Sequence, residues 1–327
     1  MLKLIGLLQA FKKGIVMKDK TGFLFAGQGA QYIGMGKELY ENFSIAKETF
    51  AEASDSLNMD LTKLVFDGEK DILDLTENTQ PAIVTMSIAT YRVLTEHDII
   101  PDVMAGLSLG EYSALTASGV FTLSQAAPLV QKRGSYMQEA VPKGLGKMTA
   151  ILGLSEEKLV KACQEGSKHG IVEAANFNCP GQIVIGGEIE AVEETKKLCV
   201  EAGALKVIDL PVSAPFHTSM LKPAAERLKA QLDKINLSAM TTPVISNVHG
   251  DYIGSLDEAR DLLYRQVMSS VLWEQTIRRM VADGVKNFVE IGPGKTLSGF
   301  VRKIDRKLGI YNVEDVASLE ATVSALR

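Results

Sequence analysis

The chain has 327 residues and carries 35 Lys and Arg against 40 Asp and Glu, a formal net charge of −5. This length predicts two domains, or one large domain with an insertion, and the lack of a basic block argues against nucleic-acid binding. No apolar run approaches the roughly 20 residues that a membrane span requires.

The first stretch, residues 1–16, is apolar and interrupted by lysines. It lacks the small-x-small cleavage site of a secretory signal. Because the folded pattern begins only after Met17, we expect residues 1–16 to be a leader or an upstream-start extension outside the fold. The remaining sequence predicts a cytoplasmic protein.

From Met17 onward, the hydrophobic pattern predicts strands alternating with helices. The predicted order is strand 21–27, helix 35–57, helix 79–98 opening near Pro81, strand 102–108, helix 109–119 ending at Gly119, and helix 122–141. After residue 212 the same alternation resumes with helix 219–235, strand 242–248, helices 257–270 and 273–284, strand 285–292 and helix 295–304. This alternation favours a parallel sheet covered on both faces.

Between these two parts the order changes to strand, helix, strand, strand, helix, strand within about 70 residues. This βαββαβ order is typical of a ferredoxin-like unit. We therefore expect residues 143–212 to form a small subdomain inserted into a larger one made of residues 17–142 and 213–327.

The motif "GLSLG" places Ser108 between Gly106 and Gly110, after a predicted strand and before a predicted helix. In a G-x-S-x-G turn of this kind, the glycines make room for a sharp bend that exposes the serine hydroxyl. The pattern favours a nucleophile, and the alternative is a small polar residue in an ordinary loop.

A serine nucleophile requires a base, and the chain has only four histidines. His97 ends a predicted helix, while His169 and His249 lie in predicted turns. Elimination leaves His217, which follows a strand and precedes a helix in "PVSAPFHTSM". The three cysteines are widely spaced and form no CxxC pair or Cys/His cluster, so we expect free thiols, with neither disulfides nor a zinc site.

The glycine-rich stretch "FLFAGQGAQ" follows the first predicted strand. It lacks the glycine spacing of a dinucleotide fingerprint, and neither possible P-loop in the chain is complete. A second oxyanion donor, the backbone N–H of Gln28 facing that of Leu109, is one interpretation, and a plain turn is the other. Arg133 lies on the second helix after "GLSLG", where it would either bind a substrate carboxylate through two parallel hydrogen bonds or lie at the surface.

Nine motifs, taken together and in this order, resemble the malonyl-CoA:acyl carrier protein transacylase family of fatty-acid synthesis. They are "FAGQGAQ", "NTQPA", "GLSLGEYSAL", "KRGSYMQEAVP", "NFNCPGQIVIGG", "PVSAPFHTSMLKPA", "SNV", "RQV" and "EIGPGKTLSGF". The resemblance runs from about Thr21 to about Ile304. It implies an α/β-hydrolase-like large subdomain with an inserted ferredoxin-like small subdomain.

The resemblance also implies the roles of the site residues. Ser108 is the nucleophile and His217 the base, oriented by the backbone carbonyl of Gln266 in place of an aspartate. The resemblance further implies that Gln28 and Leu109 form an oxyanion hole and that Arg133 binds the substrate carboxylate, as a carboxylate clamp. Gln80 and Asn247 would line the site.

Two positions bear on substrate choice. The family usually has histidine before the nucleophile, and Leu107 stands there in this chain, so any contact of that imidazole with the substrate is lost. Phe216, directly before His217, is similar to the malonyl-selecting version of that motif in polyketide acyltransferases.

The resemblance implies malonyl transfer from malonyl-CoA to acyl carrier protein by a ping-pong reaction, without a metal or redox cofactor. Three alternatives remain open: a serine esterase or thioesterase, a non-catalytic binding subunit, and a malonyl-transfer subunit of malonate decarboxylation or polyketide assembly. Lysines such as Lys143 and Lys147 would either meet an acidic carrier protein or simply be solvated.

Overall fold

The structure is a computed structural model, and it describes residues 19–142, 144–212 and 214–327. The proposed extension, residues 1–16, and Lys143, which was named above, lie outside these residues. Five strands form a parallel sheet: β1 (Lys20–Phe25), β2 (Val103–Gly106), β7 (Val244–Ile245), β8 (Val285–Ile291) and β9 (Gly309–Val313). Their order is β7-β2-β1-β8-β9, so β1 is central.

Alternate residues of β1 pack on opposite faces of this sheet. Phe23 and Phe25 belong to the main hydrophobic cluster, whereas Leu24 belongs to a second cluster around Trp273 and Ile277. Because both faces of the strand are buried here, its last three residues are all apolar instead of alternating with polar ones. The predicted parallel sheet with two covered faces is confirmed.

Four further strands form a separate antiparallel sheet: β3 (Gly146–Leu152), β4 (Val172–Cys179), β5 (Gln182–Glu188) and β6 (Lys206–Asp209). Their order is β4-β5-β3-β6. Helices α8 (Glu156–Gly166) and α9 (Ile189–Glu201) complete a βαββαβ unit with its own cluster of buried apolar side chains. The predicted ferredoxin-like order is confirmed, and Val271 joins the two parts of the molecule through backbone hydrogen bonds with Ala175 and Phe177, both of 2.9 Å.

The other helices are associated with the parallel sheet. Before β3 they are α1 (Lys37–Asn42), α2 (Ser44–Leu57), α3 (Leu61–Asp67), α4 (Lys70–Leu73), α5 (Thr76–Glu96), α6 (Leu109–Ala117) and α7 (Leu123–Glu139). After β6 they are α10 (Lys222–Leu232), α11 (Leu256–Gln266), α12 (Trp273–Ala282), α13 (Thr296–Ile304) and α14 (Val316–Leu326). In the described part of the chain, no helix combines the length and apolarity that would let it cross a membrane.

Two predicted helices differ from the structure. The helix predicted over 35–57 is wrong as one element, because Phe43 adopts an extended backbone (φ −124°, ψ 126°) that separates α1 from α2. The helix predicted to open near Pro81 begins earlier, at Thr76, and continues through the proline. Most of α5 is buried, and this packing outweighs the unfavourable effect of a proline inside a helix.

Four elements were not predicted, and one strand is shorter than expected. The short helices α3 and α4, and the terminal pair β9 and α14, fall in stretches for which no element was proposed. The strand predicted over 242–248 is only the two residues of β7. The residues that follow β7 instead form the turn that carries Asn247.

Candidate active site

Ser108 lies in a sharp turn between β2 and α6, at the carboxyl end of the parallel sheet. Its backbone has φ 54° and ψ −101°, an uncommon region for a residue other than glycine. A Cβ on Gly106 would lie 1.9 Å from the Gly110 carbonyl, and one on Gly110 would lie 2.1 Å from the Phe25 oxygen. Both flanking glycines are therefore required sterically, as the motif predicts.

The Ser108 hydroxyl and the His217 imidazole are in direct contact. Ser108 Oγ lies 2.6 Å from His217 Nε2, and His217 Nδ1 lies 2.9 Å from the backbone oxygen of Gln266. The carbonyl can only accept, so Nδ1 carries the proton and Nε2 presents a lone pair to the serine. The structure thus brings together the predicted nucleophile, the predicted base and the predicted carbonyl.

The surroundings of His217 keep its ring neutral. Only 5% of the residue is exposed. Burial lowers the pKa of His217 to about 4, and the positive charge of Arg133 acts in the same direction, against the hydrogen bond to Gln266. A neutral imidazole at neutral pH is the form able to take a proton from Ser108.

Arg133, on α7, is a buried cation beside the serine. Its guanidinium donates to Ser108 Oγ at 3.2 Å, to Gln80 Oε1 at 3.0 Å and to Gln266 Oε1 at 3.2 Å. It also lies over the Tyr112 ring, with Cζ 5.2 Å from the ring centre. Among the described residues Arg133 forms no ion pair and its Nε has no partner, so this buried charge is not neutralised by a carboxylate in contact with it.

The glycine-rich loop after β1 runs beside the Ser108 turn. Leu107 donates its N–H to Phe25 O at 3.2 Å, and a Cβ on Gly27 would lie 2.6 Å from Leu107 O. In the described ranges, the N–H groups of Gln28 and Leu109 donate to no protein acceptor. The side chain of Gln28 accepts from Gln80 Nε2 at 3.3 Å, which links this loop to the Arg133 network.

Asn247 holds the backbone of the turn. Its Oδ1 accepts from the Ser108 N–H at 2.6 Å, and its Nδ2 donates to Gly106 O at 2.8 Å. These two bonds hold the backbone on either side of Leu107, directly before the strained residue Ser108. Asn247 therefore touches the turn itself, a closer connection than the lining position that was predicted.

The last two predicted residues, Leu107 and Phe216, are hydrophobic. Leu107 is half-buried against the cluster around Trp273, and Phe216 is 8% exposed within the main cluster. Apolar packing accounts for both positions. Their effect on substrate choice stays a prediction.

Glu111 is the residue of this site that the sequence reasoning missed. It lies on α6, is fully buried, and accepts hydrogen bonds from Asn247 and Gln266. The signal was present in "GLSLGEYSALTA", where a single acid interrupts a stretch of small and apolar residues. A helix that is apolar all round is buried, so its one carboxylate must be buried with partners.

The other histidines and the three cysteines are not part of this site. His97 caps the end of α5, His169 ends a short 3₁₀ turn, and His249 contacts Asp251 and Glu258. All three cysteines are buried free thiols. Within the described part of the chain, no group of three or more His, Cys, Asp or Glu side chains is arranged to hold a metal ion.

Comparisons with known proteins agree with this geometry. The family model for the acyl transferase domain matches residues 22–320. The malonyl CoA-acyl carrier protein transacylase of Bacillus subtilis (strain 168) is 46% identical over 310 residues, which cover 94% of this chain and 98% of that protein. The solved transacylase of the same name from Clostridium perfringens has a TM-score of 0.92 at 48% identity, over 94% of this chain and 97% of that one.

A second solved structure shows a malonyl-transacylase in complex with a type II PKS acyl-carrier protein. This structure matches with a TM-score of 0.91 at 42% identity, over 94% of this chain and 99% of that one. Family model, identity and fold all point the same way. The chain is an acyltransferase that belongs to the malonyl CoA-acyl carrier protein transacylase family.

Proposed function

We propose that this chain transfers the malonyl group of malonyl-CoA to the phosphopantetheine thiol of acyl carrier protein, through a malonyl ester of Ser108. The product would supply fatty-acid elongation. The names of the relatives support the substrate and the partner. The 2.6 Å contact between Ser108 Oγ and His217 Nε2 supports the covalent intermediate.

In the first half of the reaction, His217 Nε2 takes the hydroxyl proton as Ser108 Oγ attacks the thioester carbonyl carbon. The C–O bond forms, and the carbonyl oxygen becomes an oxyanion facing the N–H groups of Gln28 and Leu109. The C–S bond then breaks, and the leaving sulfur of CoA takes the proton from His217. A preorganised donor of this kind contributes about 3 kcal/mol to transition-state stabilisation.

In the second half, the thiol of the carrier gives its proton to His217 and attacks the ester carbonyl. The C–O bond to Ser108 breaks, the serine recovers the proton, and the malonyl thioester of the carrier leaves. Both halves need one acid–base group and one oxyanion site. The proposed chemistry therefore uses no metal or redox cofactor.

The observation that carries the substrate assignment is that buried Arg133 has no carboxylate in contact with it among the described residues, although the Glu111 carboxyl acts on it from further away. A buried cation without an ion-pair partner is costly, and its Nη2 lies 3.2 Å from the Ser108 hydroxyl oxygen. The free carboxylate of a malonyl group is only two carbons from the thioester carbonyl. A malonyl group attached to Ser108 therefore places its carboxylate within reach of the guanidinium fork.

We also propose the division into subdomains. Residues 143–212 would form the small subdomain, and residues 17–142 and 213–327 the catalytic one. The antiparallel sheet and its two helices fall within the first range, and all the site residues named above fall within the second. The small subdomain would help to shield the malonyl ester from water.

The decisive experiment is intact-mass spectrometry of the protein after incubation with malonyl-CoA and again after addition of holo acyl carrier protein. We expect the mass of one malonyl group to appear on the protein and then to move to the carrier. Ser108→Ala should acquire no such mass, and a full-strength adduct on that variant would refute the nucleophile. A malonyl-enzyme that is hydrolysed before the carrier arrives would identify a thioesterase instead.

A further inference from the structure

Glu111 is a buried acid that the reaction outlined above does not use. It is the third residue of α6, a helix whose nine residues are all buried. Its own exposure is 0%. A carboxyl group in such a place is costly unless hydrogen bonds compensate for its lost hydration, so its partners are informative.

Those partners are backbone and side-chain amides on one carboxylate oxygen. Oε2 accepts from the backbone N–H of Asn247 at 3.0 Å and from Gln266 Nε2 at 2.6 Å. The other oxygen, Oε1, is buried and has no partner among the described residues. Burial raises the pKa of Glu111 to about 7, while the bonds from Asn247 and Gln266 and the charge of Arg133 act to lower it.

Both amide partners hold parts of the reacting centre. Asn247 bonds to the Ser108 N–H and to Gly106 O. Gln266 presents its backbone oxygen to His217 and its Oε1 to Arg133, and its Nε2 also reaches Ser108 O at 3.1 Å. Ser108, His217 and Arg133 are thus each connected to Glu111 through a single intervening residue.

The carboxylate also determines which way the Gln266 amide points. An ionised carboxylate only accepts hydrogen bonds, so the NH₂ end of Gln266 must face Glu111. The oxygen end is then left to accept from Arg133, which only donates. If a side chain without an acceptor replaced the carboxylate, nothing would hold the NH₂ end of Gln266 in place, and the amide could turn its NH₂ toward the guanidinium N–H groups.

We propose that Glu111 is a positioning residue for acyl transfer, and that its carboxylate acts through Asn247 and Gln266. This inference rests on the proposed function. Glu111 contacts neither substrate nor reacting atoms. It holds the backbone of Asn247, and the donor and acceptor ends of the Gln266 amide, in the one arrangement that serves serine, histidine and arginine together.

The test is single-turnover acylation of Glu111→Met by malonyl-CoA, followed by intact mass, because methionine has a similar shape but leaves the Asn247 N–H and the Gln266 amide without their acceptor, and because this measurement separates rate from amplitude. We expect a rate constant lower by about tenfold to a hundredfold, as for other residues that act by orienting reacting groups, with full amplitude. A residue needed only for folding would instead lower the amplitude and leave the rate constant of the folded molecules unchanged. That result, or an unchanged reaction, would overturn the proposal.

Two further variants complete the experiment. Glu111→Asp keeps the charge but moves it away from Gln266, so the same slow, full-amplitude reaction is expected even if Glu111→Met does not fold. Glu290→Met is the matched control, because Glu290 is also buried and its carboxylate accepts from the backbone N–H groups of Leu297 and Ser298 at the start of α13, away from Ser108 and His217. It should acylate at the wild-type rate. Wild-type protein that acquires no malonyl group would refute the proposed function itself, whereas normal wild-type acylation with unaffected Glu111 variants would refute only this inference.

Discussion

Replacing Arg133 by alanine should abolish most of the preference for malonyl-CoA over acetyl-CoA. The two substrates differ at the carboxylate that the guanidinium is proposed to bind. Arg133 also donates to Ser108, Gln80 and Gln266, and loss of these bonds slows both substrates alike. The ratio of the two kcat/KM values therefore isolates the carboxylate contact.

The magnitude follows from the number of bonds. A guanidinium fork gives a carboxylate two charge-assisted hydrogen bonds, each contributing about 1.5–3 kcal/mol. At about 1.4 kcal/mol for each factor of ten, the malonyl-to-acetyl ratio should fall by roughly 10² to 10⁴. Arg133→Lys keeps the charge without the fork, so its ratio should lie between those of wild type and alanine.

The assay is initial acylation measured with each CoA ester at several concentrations. Arg227→Ala is the control, because Arg227 is an exposed arginine stacked on Tyr136 and ion-paired with Glu139. Its ratio should equal that of wild type. An Arg133→Ala ratio within about threefold of wild type would show that the charge serves some purpose other than carboxylate recognition.

Two further predictions concern pH and the turn. Burial raises the pKa of Glu111 to about 7, so kcat/KM of the wild type should decline partly below pH 7, whereas that of Glu111→Gln should not. In both proteins kcat/KM should be lost fully only near pH 4, where His217 takes up a proton and stops acting as a base. A single acid limb above pH 6 that is shared by both proteins would contradict this scheme. Gly106→Ala places a Cβ 1.9 Å from the Gly110 backbone and should cost roughly 3 kcal/mol or more of stability, with loss of fluorophosphonate labelling. The control is Gly299→Ala, at an exposed position of α13 with no atom within 4 Å of the new Cβ. It should unfold at or slightly above the wild-type temperature, and equal melting temperatures of the two variants would contradict the steric argument.

The alternation of elements was predictable because burial on two faces leaves a direct mark on a strand. β1 ends in the uninterrupted apolar run Phe23–Phe25, and α7 is preceded by the N-cap residue Thr122, which forms a capping box with Gln125. By contrast, the break at Phe43 and the passage of α5 through Pro81 depend on contacts with distant segments. Local propensity carries no information about such contacts.

The site was predictable where a residue type is rare or a backbone shape is demanding. The glycines around Ser108 mark the bend, and with four histidines elimination reached His217. Glu111 was missed because glutamate is common and its burial becomes visible only once α6 is packed. The distance between Ser108 and His217, 109 residues apart in the chain, is likewise a property of the tertiary structure alone.

The antiparallel unit leaves and re-enters the larger fold at nearly one point, since β3 and β6 are paired neighbours with Thr149 opposite Asp209. In the chain, Ser108 and Arg133 precede the antiparallel unit and His217 follows it, yet Ser108 Oγ and His217 Nε2 remain in contact. Whole modules of this kind are exchangeable in principle: a relative's version could be grafted at the same point of the chain while Ser108, Arg133 and His217 keep their positions.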